Sequence, residues 1–136
     1  MDLTTLIIPG TTHEEHFVVE EKLLASHVGS GSLRILATPW LIGLMERVSH
    51  HLLMKYLPEG QSSVGTHVDV RHLAPTAAGD TVRVQAEVLS VDGLLVELAV
   101  RAWDSKELIG EGRHQRFVID VERFLKKVAK KAIPLV

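Results

Sequence analysis

From Leu41 to Tyr56 apolar residues recur at Leu41, Ile42, Leu44, Met45, Val48, Leu52, Leu53 and Tyr56. Wound as a helix, they cover most of the circumference, and a helix apolar on nearly every side has to be enclosed rather than laid on a surface. Thr38 is placed to act as its N-cap, and Pro39 suits a first turn, where a missing N–H costs nothing. Pro58 and Gly60 end it. Whatever fold the chain adopts must wrap something around this segment.

The wrapping material is β-prone. Residues 16–20 (HFVVE) form a short run before a small, polar, glycine-rich stretch at 26–33 (SHVGSGSL), expected to be a mobile loop. After the helix the pattern alternates with period two. Val64, Thr66, Val68, Val70 and His72 share one face of a strand over 64–72. Val82, Val84, Ala86 and Val88 share a face over 81–91, and Leu94, Val96, Leu98 and Val100 over 94–103. Asp92-Gly93 between the last two signals a tight hairpin. A final strand is expected over 107–119, with Gly110 and Gly112 marking a bulge or a close backbone approach. Val121, Phe124, Leu125 and Val128 then follow at helical spacing among lysines, which predicts a short amphipathic C-terminal helix.

Short turns between successive strands imply antiparallel neighbours. The class is therefore α+β: one antiparallel sheet curled around a long central helix. A sheet of that kind leaves edges and apolar surface for a second copy to cover. With 136 residues, a single domain over 1–136 is expected. A net charge of −2 argues against a nucleic-acid partner. The absence of cysteine removes disulfides, thiolate catalysis and cysteine metal sites, and is compatible with a cytoplasmic protein. The opening segment MDLTTLIIPG does not read as a signal peptide, and no apolar run approaches the roughly 18 residues that span a bilayer.

Four stretches, 37–46 (ATPWLIGLME), 64–72 (VGTHVDVRH), 75–84 (PTAAGDTVRV) and 110–119 (GEGRHQRFVI), followed by 121–128 (VERFLKKV), resemble in order and spacing the fluoroacetyl-CoA thioesterase family of hotdog proteins. The resemblance implies a hotdog fold, a homodimer with further pairing of dimers left open, and hydrolysis of an acyl-CoA. Coenzyme A is then part of the substrate, and no separate cofactor is implied. The family's catalytic threonine, glutamate and histidine fall on Thr38, Glu46 and His72; its strand glycine falls on Gly65 and its last-strand arginine on Arg116. The departure is in the lid. Members selecting fluoroacetyl groups carry phenylalanines before the catalytic threonine, whereas 26–36 (SHVGSGSLRIL) has no aromatic residue. Fluoroacetyl selection is not expected, and the small acyl group is left open.

The residues themselves fit this chemistry without compelling it. Thioester hydrolysis needs a base or nucleophile, a proton for the departing thiolate, and donors for the oxyanion. Glu46, with Ile42, Gly43 and Leu53 as helical neighbours, would be a carboxylate in partly apolar surroundings, which favours a base. It equally fits a solvated strip with Arg47, His50 and His51. His72, on the parity of Val68 and Val70, is expected to face inward, where an imidazole passes protons near neutral pH. A hydrogen-bonded core histidine is the plainer alternative. Arg116 fits a site residue or a cross-strand ion pair. Lys55, Arg71 and Arg113 are the weak candidates for CoA phosphates.

A metal is not expected. His13 and His16 flank two glutamates and His50 adjoins His51, but no third ligand stands at a recognisable spacing. Two further readings stay open: a non-catalytic acyl-CoA-binding dimer, and a hotdog hydratase or dehydratase. The second typically carries Asp-x-x-x-x-His, which this chain lacks.

Overall fold

The computed structural model describes residues 2–134. The elements are α1 (Leu3–Leu6), β1 (Thr12–Val18), α2 (Ala25–Val28), α3 (Thr38–Met54), β2 (Gln61–His72), β3 (Thr81–Asp92), β4 (Leu95–Trp103), β5 (Leu108–Asp120) and α4 (Val121–Ala129). The strands form one antiparallel sheet in the order β1-β3-β4-β5-β2. The sheet curls around α3, which is the hotdog arrangement.

Period two and period 3.6 meet at the core. Val82, Val84, Ala86 and Val88 of β3 and Val96, Leu98 and Val100 of β4 are fully buried, facing Leu41, Leu44, Met45, Val48, Leu52 and Leu53 of α3. Each such valine, leucine or methionine side chain contributes about 1.5–3 kcal/mol by leaving water. The helix is enclosed on most of its circumference. Arg47, His51 and Met54 form its exposed strip, and Tyr56, expected within it, lies beyond its end and is exposed. Leu94, also expected inside, is a half-exposed turn residue. Among the described residues no helix is long and apolar enough to cross a membrane.

Several local expectations need correction. The first strand begins earlier than expected, at Thr12, and ends at Val18. The loop over 26–33 starts as one helical turn, α2, ended by Gly29 in the left-handed region. Its flanks are pinned, Ala25 N–H donating to Ile35 O and Leu36 N–H to Thr76 O. The β3–β4 turn is displaced by one residue: Asp92 pairs with Leu95, so Gly93 and Leu94 form the loop, with Gly93 at φ +61°. Placing the positive φ on the first loop residue asks for glycine there and spares aspartate that conformation.

The correction with most consequence is in β2. Gly65 pairs with Arg116 and His67 with Gln115, leaving Thr66 as an extra residue. This bulge switches the parity of the strand. Ser63 and Gly65 face the helix before it; Val68, Val70 and His72 face it afterwards, opposite His114, Gly112 and Gly110. Val64 and Thr66 therefore leave the face that simple alternation assigns to them. The glycines of β5 are a close approach: a Cβ on Gly112 would stand 2.6 Å from Val70 Cα, and one on Gly110 2.8 Å from Leu41 Cδ2.

α4 follows β5 directly, with the Asp120 carboxylate accepting from Arg123 N–H at 3.0 Å. It buries no residue, and Leu125 and Val128 remain exposed.

Candidate active site

β2 runs beside α3 in the opposite sense, so its two ends meet opposite ends of the helix. Each meeting point holds a polar cluster.

At the start of α3, Ala37 takes the N-cap position and Thr38 becomes the first helical residue, so the Thr38 hydroxyl makes no capping bond. It is 2.7 Å from His72 Nδ1 instead. Thr38 is held there because Ala37 N–H donates to Leu23 O at 2.8 Å and Leu41 N–H to Ala37 O at 3.0 Å. The pair lines a cavity of about 440 Å³ with Ser30, Gly31, Leu33 and Ile35. His72 Nε2 is buried and has no hydrogen-bond partner among the described residues. Burial pushes the imidazole below its ordinary value, the Ala74 backbone opposing. The helix start adds N–H groups without helical acceptors and the positive end of the helix dipole. An imidazole on a hydroxyl beside free N–H donors can move a proton and receive an oxyanion.

The second cluster surrounds Glu46. Arg116, 6% exposed, donates Nε–H to Ser63 Oγ at 2.8 Å and Nη2–H to Ser63 O at 3.0 Å. Its Nη1 is 3.1 Å from His114 Nε2 and 3.6 Å from Glu46 Oε2. His114 Nδ1 lies 2.8 Å from His67 O. The ring therefore donates to that carbonyl and leaves Nε2 to accept from Arg116. Ser63 Oγ, already accepting from Arg116, is left to donate to His50 Nδ1 at 3.1 Å. Burial lowers the pKa of His114 and of Arg116, the Glu46 carboxylate opposing in both. Burial, then the charge of Arg116, lowers that of His50. The Glu46 side chain is 44% exposed and faces a guanidinium, so its surroundings are polar rather than the partly apolar ones expected. Gly65 lies against it: a Cβ there would be 2.7 Å from Glu46 Oε2.

The five residues named from the sequence thus fall into two groups, Thr38 with His72 and Glu46 with Gly65 and Arg116. Eight residues of helix, about 12 Å, separate Thr38 from Glu46. No hydrogen bond joins the groups among the described residues. Ser63 and His114 escaped the sequence reading, and His50 entered it only as part of a solvated strip and beside His51. For His114 a signal existed: with Arg116 it shares the inward parity of Gly110, Gly112 and Val118 on β5. Of the phosphate candidates, Arg71 and Arg113 border a hollow of about 420 Å³ with Asp69, Arg101 and Glu111, while Lys55 lies elsewhere, against His13.

Comparison with known proteins gives a consistent result. Residues 19–122 match the family described as fluoroacetyl-CoA-specific thioesterase. A fluoroacetyl-CoA thioesterase of Streptantibioticus cattleyicolor is 41% identical over 97 residues, 71% of this chain and 70% of that one. A solved structure of the fluoroacetyl-CoA thioesterase FlK superimposes with a TM-score of 0.88 at 34% identity, covering 93% of this chain and 98% of that one. A hot-dog-like protein from Thermanaerovibrio acidaminovorans gives 0.90 at 26% identity, covering 99% and 100%.

Proposed function

The chain belongs to the fluoroacetyl-CoA-specific thioesterase family and is a thioester hydrolase, and we propose that it cleaves a small acyl-CoA at a site shared between two copies. The observation that carries this reading is the 2.7 Å contact between Thr38 Oγ1 and His72 Nδ1 on the wall of the 440 Å³ cavity.

β2 is a twelve-residue edge strand, and Gly65 to Asp69 in its middle are exposed. An edge of that length invites pairing with another strand. Two copies joined by antiparallel β2 strands around a two-fold axis near Val68 bring His72 of one alongside the stretch of the other that holds Ser63 and Gly65, on the face each strand turns to its helix. That is where Glu46 lies. The buried His72 Nε2 then gains an acceptor in Glu46 of the partner subunit, and the two polar clusters become one site.

In this site Glu46 is the base or nucleophile, Thr38 and the first turn of α3 hold the thioester oxygen, and His72 delivers a proton. Where Glu46 is the base, it takes a proton from water, the oxygen adds to the thioester carbon, the carbon–sulfur bond breaks, and that proton passes through His72 to the sulfur of the departing CoA. Where Glu46 attacks directly, an anhydride forms as the carbon–sulfur bond breaks, and water then hydrolyses it. Arg116 orients Glu46, and Gly65 leaves room for it. Among the described residues the cavity's lining includes no phenylalanine, tyrosine or tryptophan. This favours a short aliphatic acyl group rather than a fluoroacetyl group held by phenylalanines.

The test is thiol release from a panel of short, branched and aryl acyl-CoAs. Turnover with short chains, falling roughly a hundredfold in Glu46→Ala and in His72→Ala, is the expected result for lost acid–base catalysis. Binding without turnover across the panel would make the protein a carrier instead. Single turnover in heavy-oxygen water separates the two roles of Glu46. Label entering its carboxylate marks direct attack; label confined to the released acid is what activated water gives.

A further inference from the structure

β1 turns His13, Glu15 and Phe17 toward α3 and their neighbours outward. Phe17 packs on the core as alternation requires. His13 and Glu15, only 18% and 25% exposed, occupy inward positions where apolar side chains are the rule. The last turn of α3 brings His51 over them. Glu15 Oε2 is 2.9 Å from His13 Nε2 and 2.7 Å from His51 Nδ1. One ligand atom from each of the three lies within 4.8 Å of the others.

We propose that His13, Glu15 and His51 form a site for a divalent transition cation of the zinc class, clamping β1 to the end of α3. Two imidazoles and a carboxylate are a donor set such cations accept, and partial exposure leaves a coordination position for water. Spacing along a strand puts His13 and Glu15 on one face, and the helix supplies the third donor from far along the chain. A glutamate carboxyl is ordinarily ionised at neutral pH, the form that ligates a cation. The present contacts are proton-mediated, and a cation at about 2.0–2.1 Å from each atom replaces the shared protons.

One group competes. Lys55 Nζ is 2.8 Å from His13 Nδ1. Its ammonium donates to that nitrogen and so keeps the ring proton on Nε2, facing Glu15. Metal binding through Nε2 needs the proton on Nδ1 and requires Lys55 to swing away, which an exposed, flexible lysine can do. Arg47, the other cation on this side of α3, is engaged over the Phe17 ring at 5.6 Å. The cluster is on β1, at the opposite edge of the sheet from β2, and does not depend on the hydrolytic reading.

The full chain, stripped with chelator and dialysed, is titrated with Zn²⁺ while bound metal and thermal unfolding are followed. About one equivalent per chain and a Tm that climbs with Zn²⁺ are expected, as for any ligand that binds only the native state. Binding weakens roughly tenfold or more in Glu15→Gln and His51→Ala, since each lost donor is a lost bond to the ion. His16→Ala, on the outward face of the same strand, leaves it unchanged, and Lys55→Met strengthens it. Because each substitution also breaks a hydrogen bond of the free protein, the readout is the Zn²⁺-induced change within one variant. A stripped protein that takes up no stoichiometric Zn²⁺, or a His13→Ala/Glu15→Gln/His51→Ala variant that binds it as the parent does, overturns the proposal; so does weaker binding by Lys55→Met.

Discussion

Gly65 and Glu46 are in contact across the α3–β2 interface, with Glu46 Oε2 2.7 Å from the point where a Cβ of residue 65 would stand. That separation is shorter than side chains tolerate, and the same added carbon would meet His114 Cε1 at 3.2 Å and Arg116 Nη1 at 3.4 Å. The end of a glutamate can swing away where backbone could not. Gly65→Ala is therefore expected to fold, with a Tm close to the parent's, and to lose about a hundredfold in kcat/KM, the usual cost of moving a reacting group by roughly 1 Å. Thermal unfolding and thiol-release kinetics on the same preparation check both halves.

Arg116 carries the second prediction. Its fork engages Ser63 Oγ, Ser63 O and His114 Nε2 at once. A lysine has one nitrogen and cannot span these acceptors. Arg116→Lys keeps the charge yet leaves buried acceptors unpaired, at a cost of about 1–3 kcal/mol in stability. Urea unfolding measures it. Activity falls as well, because the cation beside Glu46 is no longer held in place. Full stability in the lysine variant would show that the fork is not what holds this cluster together.

How much of this was legible in the chain depends on the range of the physics. The enclosed helix, the faces of β3 and β4 and the class of fold follow from local periodicity, because the burial that sets them recurs within a few residues. The bulge at Thr66 does not, since it is decided by the register against β5, and it moved Val64 off the face that carries His72. Thr38 looked like an N-cap because cap and first-turn residues share the same composition. Only the bond to His72, 34 residues away, shows that its hydroxyl is free of the helix. Thr38, Glu46 and His72 were singled out by resemblance, whereas Ser63, His50 and the His13–Glu15–His51 cluster are products of tertiary convergence that no spacing announces.

The third prediction concerns pH. His72, His114 and His50 all have pKa values lowered from 6.5, chiefly by burial. A lowered value means the unfolded chain takes up protons more readily than the native one. Each group's contribution is complete above pH 6.5, its unfolded value, and is lost as pH falls through the lower native value. Chemical unfolding is expected to show lower stability at pH 5 than at pH 7.5, as protonation of buried imidazoles requires. On the proposed mechanism the acid limb of kcat/KM lies below pH 6.5, because a neutral His72 ring is the form that relays the proton from Glu46 to the sulfur. His72→Gln removes part of the stability difference. An unchanged pH dependence in that variant would assign the titration to the other two histidines.

The last prediction separates a shared site from two independent ones. Chains carrying Glu46→Ala are mixed with chains carrying His72→Ala, each preparation being nearly inactive alone, and subunits are exchanged. If Glu46 serves His72 of the partner subunit, every mixed dimer contains one site with both groups intact and one with neither. Random exchange makes half of the dimers mixed, so about a quarter of the parent activity returns. If both groups act within one chain, every site in the mixture lacks one of them and no activity returns. The orphaned His72 Nε2 and the long free edge of β2 favour recovery. Absence of recovery, with mixed dimers verified by mass, would mean that Glu46 reaches the Thr38–His72 pair by rearranging within its own protomer.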